Sequence, residues 1–294
     1  MIGIEEKKAI IDLFPFMGER PVVFDVGSNK GHFSGIVLEE FKEKCHLHLF
    51  EPNEALLNFT RIRFEYDTNI NFSDLACYKK DGEKIPFFYF TNFNNEISSI
   101  YNGGESWNGL PMKERMVDTI TIDKYCELNS IDQIDYIKID AEGADIDVLD
   151  GCRKIMSEGK VKIIQIEYSE HYKRSGKTFE DVLSIANACG YDVYRYIDGN
   201  FWKVKGNSTD VFSNELPKFD NYFLTKEEIH NYSVGGWNNN FLLSVEGLPK
   251  FDLCLEIGAF EGLTTKHICE KMLNTGGRIN VIDPLNDYYV TDDP

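Results

Sequence analysis

Residues 21–31, Pro21-Val22-Val23-Phe24-Asp25-Val26-Gly27-Ser28-Asn29-Lys30-Gly31, run from a short apolar stretch into a glycine-bearing turn. Positions 21–25 read as a buried strand, and apolar residues at 33, 36, 37, 38 and 41 read as the helix that follows. A buried strand turning through glycines into a helix is where open α/β sheets bind ligands, beyond the carboxyl ends of their strands. The unit repeats on the way outward. His46 to Phe50 reads as the second strand, Glu54 to Phe64 as a helix and Ile70 to Phe72 as a third strand. Short apolar runs alternating with helical patterns predict an α/β fold of the Rossmann-like kind, a parallel sheet with helices on both faces.

The rhythm breaks between Ala76 and Phe90. Two β-prone stretches flank Asp81-Gly82, a pair suited to a tight turn, so an inserted β-hairpin is expected there. Asp135 to Asp140 and Val161 to Glu167 are the next core strands, separated by a helix around 146–156 and followed by one over 179–189. Residues 191–197, 201–204 and 222–224 would complete the sheet as a mostly antiparallel edge. Asn, Gly, Ser and Pro then crowd residues 205–250, most plainly in the run from Gly235 to Asn240. The expected division is a domain over 1–226, a linker over 227–250 and a partial βαβ unit over 251–294. That last unit repeats the acid–x–glycine–x₃–glycine pattern of 25–31 at Glu256, Gly258 and Gly262. A helix over 263–273, a stop at Gly276-Gly277 and a strand from Arg278 to Asp283 complete it. It reads as the opening of a second domain of the same kind, too short to finish its sheet.

With a formal charge of −18, the chain is a poor partner for a phosphate backbone or an anionic membrane, whose binding draws on clustered Lys and Arg. No run approaches the ~20 apolar residues of a membrane span, and the N-terminal residues lack a basic-then-apolar signal, so a cytoplasmic location is expected. Seven cysteines without a C-x-x-C pair suggest buried thiols rather than a disulfide framework or a zinc site. Oligomeric state is not legible.

Asn29 stands where a dinucleotide fingerprint needs its middle glycine, so the first turn favours S-adenosylmethionine over NAD. Gly27 and Gly31 would let the backbone approach a ligand closely. Glu51 ends the second strand, where a carboxylate accepts from both ribose hydroxyls.

The segment from Val117 to Gly151, above all Lys138-Ile139-Asp140-Ala141-Glu142-Gly143, resembles the FkbM family of methyltransferases. FDVGSNKG at 24–31, LFEPN at 49–53, SDLA at 73–76, ISSI at 97–100 and DNYFL at 220–224 extend the likeness over about residues 10–226. The resemblance implies a class I methyltransferase sheet, S-adenosylmethionine as cofactor and transfer to a hydroxyl of a sugar, glycan or other small molecule. It also implies that Asp25, Gly27 and Gly31, with Ser28 and Asn29 in the same turn, lie under the methionine and ribose. Glu51 would hold the ribose, Asp74 and Leu75 would flank the adenine, and Asp140 and Glu142 would face the reacting centre. The last unit likewise resembles the start of another class I methyltransferase domain.

Methyl transfer from a sulfonium is an in-line displacement, to which orientation supplies at best about 7–11 kcal/mol. An alcohol also needs a base, worth about 10²–10⁴-fold. Asp140, Glu142, Glu167 and His171 are the candidates. Asp140 has a competing reading as a helix-capping acid, and His171 as an exposed loop residue. Lys138 is either an inward partner for a carboxylate or an edge charge. Asp140, Glu142 and Glu167 together would also suit Mg²⁺. His46 and His48 share a strand face, as a ligand pair or, more commonly, as packing. Acceptor choice falls to the loop over 92–116, where Asn94, Ser98, Ser99, Tyr101 and Trp107 offer polar and aromatic contacts. The competing functions are a nicotinamide-dependent oxidoreductase and a non-catalytic adenosine-binding scaffold.

Overall fold

The computed structural model describes residues 2–90, 98–102, 113–169, 171–197, 199–204, 219–227, 229, 253–257 and 278–282. The chain divides into two compact units, Met1–Ile197 with Trp202–Glu228, and Asp198–Phe201 with Ile229–Pro294.

The first unit opens with a helix absent from the sequence reading, α1 (Ile4–Met17), which buries Ala9, Ile10, Leu13, Phe14 and Met17 along one stripe. The expected units follow, with ends shifted by no more than a residue: β1 (Val22–Val26), α2 (His32–Phe41), β2 (His46–Phe50), α3 (Glu54–Arg63) and β3 (Ile70–Ser73). Asn53 caps α3 by accepting from the Ala55 N–H at 3.2 Å, as a short polar side chain does before a first turn. β1 and β2 run parallel, with Asp25 beside Leu49 and Val26 beside Phe50.

The insertion is β4 (Ala76–Cys77), β5 (Lys84–Tyr89), β6 (Ser98–Ser99) and β7 (Lys113–Ile120). This corrects the expected hairpin. β4 and β5 do not pair with each other across Asp81-Gly82; β7 lies between them, parallel to β4 and antiparallel to β5. The turn instead lies over β7, where Gly82 N–H bonds the Thr119 carbonyl at 3.0 Å and Asp81 accepts from the Thr121 N–H at 2.6 Å. A four-stranded sheet satisfies more backbone groups than an isolated hairpin.

Next come α4 (Ile122–Asn129) and β8 (Ile134–Ile139), buried at every position as a central strand covered on both faces must be. The helix expected over 146–156 is two, α5 (Asp145–Asp150) and α6 (Arg153–Ser157). Gly151 divides them, because a Cβ there would stand 2.3 Å from the Tyr78 carbonyl oxygen of a crossing chain. β9 (Val161–Ser169), α7 (Tyr172–Ser175), α8 (Phe179–Ala188), β10 (Asp192–Ile197), β11 (Asn200–Lys203) and β12 (Phe219–Thr225) complete the unit. The main sheet has the order β11-β10-β12-β9-β8-β1-β2-β3, with β12 antiparallel to both neighbours, as the expected edge requires.

In the second unit β13 (Leu253–Ile257) and β14 (Arg278–Ile282) pair in parallel, Leu253 beside Arg278. Parallel neighbours need a crossover, as the βαβ reading requires. The helix expected at 263–273, the Gly276-Gly277 stop and the run at 235–240 lie outside the described residues. Among the described residues, no helix is long and apolar enough to cross a membrane. Cys45, Cys77, Cys126, Cys152 and Cys189 are buried free thiols.

Candidate functional site

The turn after β1 is held by its own backbone. Gly27 and Ser28 donate to the Phe50 carbonyl at 2.9 and 3.1 Å, and Gly27, Asn29 and Gly31 take φ of 76°, 50° and 71°. Left-handed backbone favours glycine at the first and last of these. Both glycines also sit against neighbouring protein atoms. A Cβ at 27 would lie 2.0 Å from the Asp140 carbonyl oxygen, and one at 31 would lie 2.6 Å from the Phe64 ring. Asp25 is buried in β1, accepts from the Ser34 hydroxyl at 2.5 Å and is pushed up by burial, against the pull of Lys138.

Glu51 follows β2 directly. Its two oxygens accept from the Asn29 and Asn53 N–H groups at 2.9 and 2.8 Å. Burial pushes the carboxyl up to about 7, with those two donors opposing. Each oxygen has a further lone pair to offer a ligand.

Two clefts open at the carboxyl end of this sheet. The first is lined by the apolar Phe50, Leu75, Ala76, Cys77 and Phe87 on one side and by Glu51, Ser98 and Ser99 among its polar groups. The second is polar and is lined by Glu6, Asp25, Ser28, Lys138, Glu167 and Asn221, among others. Gly27, Asn29, Asp140 and Glu142 border both. Of the residues expected at the site, Asp74 is exposed, and it, Gly31 and His171 line neither cleft.

At the junction Lys138 Nζ lies 2.7 Å from Asp140 Oδ2, with the lysine buried. Burial works against the charge of Asp140, but Lys138 outweighs it and holds the carboxyl below its ordinary value. Of the two readings of Lys138, the inward partner is therefore the one observed. Asp140 does not cap α5, whose N-cap is Ala144 without a side-chain bond; the turn before it is held instead by Asp145, which accepts from the Ala141 and Gly143 N–H groups at 3.2 and 3.0 Å. Burial and the charge of Asp140 push Asp145 up to about 8.

Glu142 and Gly143 are successive left-handed residues, with φ of 50° and 96°. Such backbone in a non-glycine residue costs about 1–3 kcal/mol and collects at functional sites. It turns Glu142 toward His171, whose Nδ1 lies 2.7 Å from its Oε2, while the Glu142 carbonyl accepts from the Ser99 hydroxyl at 2.9 Å. Gly143 permits this approach, since a Cβ there would stand 2.7 Å from the His171 carbonyl oxygen. Burial raises Glu142, with His171 opposing. Glu167 is pushed well up by burial and then by Asp140, Glu142 and Asp145, which favours its protonated form.

Asp140 thus faces a lysine and Glu142 a histidine. Among the described residues, no three His, Cys, Asp or Glu side chains gather to hold a metal ion. His48 packs against Phe24, with its Nδ1 3.0 Å from the Tyr125 hydroxyl, while His46 is exposed.

Asp147 escapes the sequence reading. It is buried and bound by Lys79 at 2.9 Å, Lys177 at 2.8 Å and the Tyr101 hydroxyl. Burial opposes its charge, but these partners outweigh it and lower the carboxyl. With Ser99 on Glu142, this fixes the insertion beside the 140–145 turn.

A glycine turn after β1, an acid closing β2 and acids closing the central strands define a Rossmann-like ligand site at the carboxyl end of the sheet. Residues 25–193 match the Methyltransferase FkbM domain, and the chain belongs to that family. It is an S-adenosylmethionine-dependent methyltransferase, which sets aside the nicotinamide reading. No curated protein matches it. Solved structures similar to it include a precorrin-6Y C5,15-methyltransferase from Geobacter metallireducens, 12% identical over 77% of this chain and 91% of that one (TM-score 0.40). An O-methyltransferase from Thermotoga maritima is 9% identical over 79% and 68% (0.41). An rRNA methylase from Streptococcus thermophilus is 12% identical over 78% and 99% (0.42).

Proposed function

We propose that the chain methylates a hydroxyl of a sugar, glycan or other small molecule. What supports this most is the carboxylate cluster at the junction of the two clefts, where Glu142 is both raised by burial and oriented by His171. In this reading the adenosine of S-adenosylmethionine occupies the apolar cleft, with its ribose on Glu51 and its adenine beside Leu75. The methionine portion crosses the turn formed by Gly27, Ser28 and Asn29, beside Asp25. The acceptor enters the polar cleft. Glu142 would take the acceptor hydroxyl's proton, and His171 would hold the carboxylate in place. Lys138 fixes Asp140 at the reacting end, and protonated Glu167 donates a hydrogen bond rather than adding a further negative charge. The cofactor supplies the methyl group; these side chains orient the acceptor and move its proton. Residues 1–226 form the catalytic domain, and 251–294 carry a second copy of its glycine-bearing motif. The test is incubation of the full chain with methyl-labelled S-adenosylmethionine and a panel of sugars, glycosides and glycolipids. An O-methyl product is expected; methylation confined to nitrogen or carbon acceptors would reject the reading.

A further inference from the structure

The polar cleft has a wall built from residues outside 25–193. Glu6, on α1, and Asn221, on β12, both line it, and neither falls within 25–193. Gln165, buried completely on β9, joins them. Its amide NH₂ donates one hydrogen to Glu6 Oε1 at 2.9 Å and the other to Asn221 Oδ1 at 2.7 Å. Its own oxygen accepts from the hydroxyl of Tyr136, also fully buried, at 2.7 Å.

These bonds use every hydrogen-bonding group of Gln165 and set the directions of its two neighbours. Asn221 turns its oxygen toward Gln165, which leaves its NH₂ for the cleft. Glu6 commits one oxygen, which leaves the other. α1 already has an apolar stripe to dock with, so anchoring it does not require a buried polar network, and such networks are costly unless fully satisfied. What the network does achieve is to hold a carboxylate acceptor and an amide donor side by side on the wall of the cleft.

We propose that Glu6 and Asn221 form a subsite for two neighbouring hydroxyls of the methyl acceptor, a vicinal diol. One hydroxyl donates to Glu6 Oε2 and the next accepts from Asn221 Nδ2. Asn221 sits beside Glu167 in the sheet register, so a polyol held there extends toward Glu142. The inference rests on the polar cleft's being the acceptor site, and it narrows the acceptor to a polyhydroxylated molecule.

The test measures binding separately from turnover. Methyl α-D-mannopyranoside, methyl α-D-galactopyranoside and cyclohexanol are titrated by ligand-observed NMR into the full chain saturated with S-adenosylhomocysteine. A pyranoside binds and cyclohexanol does not. Glu6→Ala and Asn221→Ala each weaken the pyranoside about tenfold, the loss of one hydrogen bond to a charged or well-oriented partner. Glu6→Gln, which keeps an acceptor oxygen, stays within about threefold, and all variants keep their affinity for S-adenosylhomocysteine, which shows that they are folded. Absence of pyranoside binding, binding by both alanine variants as tight as by the parent, or a loss in Glu6→Gln as large as in Glu6→Ala would overturn the subsite; the last result would point to an amine. If the pyranoside binds as described but no methylated product forms with S-adenosylmethionine, the acceptor assignment fails and the diol subsite stands.

Discussion

The two clefts at the end of one sheet are built on opposite terms. In the first cleft Glu51 spends both oxygens on backbone donors of the turns around it, beside the apolar side chains of Phe50, Leu75 and Phe87. In the polar cleft Asp25, Asp140, Glu142 and Glu167 stand close enough to shift one another, with Lys138 among them. Recognition of a flat, uncharged ring system needs rigid complementarity. Moving a proton needs groups whose charge is balanced against their neighbours'. A sheet that runs from β3 to β12 through β1 keeps these demands on separate strands and lets them meet only at residues 27, 29, 140 and 142.

The comparison breaks most visibly at Glu142. Glu142→Gln is expected to lower kcat by roughly 10²–10⁴-fold, the worth of a positioned base, with S-adenosylmethionine affinity within a few-fold. Initial rates with labelled cofactor and calorimetric titration check the two halves of that statement. Equal losses of rate and cofactor affinity would merge the clefts into one functional unit.

Glu51→Ala should show the opposite pattern, weakening cofactor binding by about 1.5–3 kcal/mol with turnover at saturation little changed. Unaltered affinity in a folded variant would remove Glu51 from the cofactor site.

Smaller, and sharper, is the pH dependence of the same residue. Its carboxyl titrates at about 7 when the site is free, and the ribose hydroxyls need the ionised form as acceptor. Cofactor affinity should therefore fall as pH drops through 7, by at most about tenfold per unit. Stability has the opposite sign. The folded state holds this proton more tightly than the unfolded chain does, so the contribution is present at low pH and is lost as pH rises from the ordinary carboxyl value through 7. Glu51→Gln should accordingly be more stable than the parent in urea at pH 8, while binding the cofactor less well.

The smallest effect tests the boundary of the system. Removing residues 251–294 should leave cofactor affinity within about twofold if both clefts belong to the first unit, whose residues line them throughout. Loss of binding from the shortened, folded chain would show that the second unit contributes to the site.

Where apolar periodicity was strong, the sequence disclosed the fold nearly to the residue: β2 falls on 46–50 as its alternating pattern requires. The hairpin at 81–82 misleads because turn chemistry is local, whereas the pairing partner is not. β7 carries Lys113, Glu114, Arg115 and Asp118 among its eight residues, which hides it as a strand. α1 has its apolar residues in plain sight, but nothing local marks it as a wall of the cleft.

For the site, the acids at strand ends were legible because topology puts strand ends at ligand sites. Asp145 and Asp147 were not, since an acid in a first helical turn is unremarkable until its partners are known. The signal for Asp145 was present in Glu142-Gly143, a left-handed pair whose neighbouring N–H groups need an acceptor. No comparable signal marks Gln165, whose importance depends on residues 6 and 221.

The fit of Gly27 beneath the Asp140 carbonyl has a consequence for redesign. A side chain at 27 would push the loop bearing Asp140 and Glu142, so the cofactor turn and the acid loop tolerate substitution only together. Attempts to admit an enlarged sulfonium donor by widening the turn at 27–29 would displace the reacting groups with it. Leu75 and Phe87 border the same cleft from the insertion side, and if the cofactor lies there as proposed, changes at these two positions alter its fit without placing a side chain against the Asp140 carbonyl.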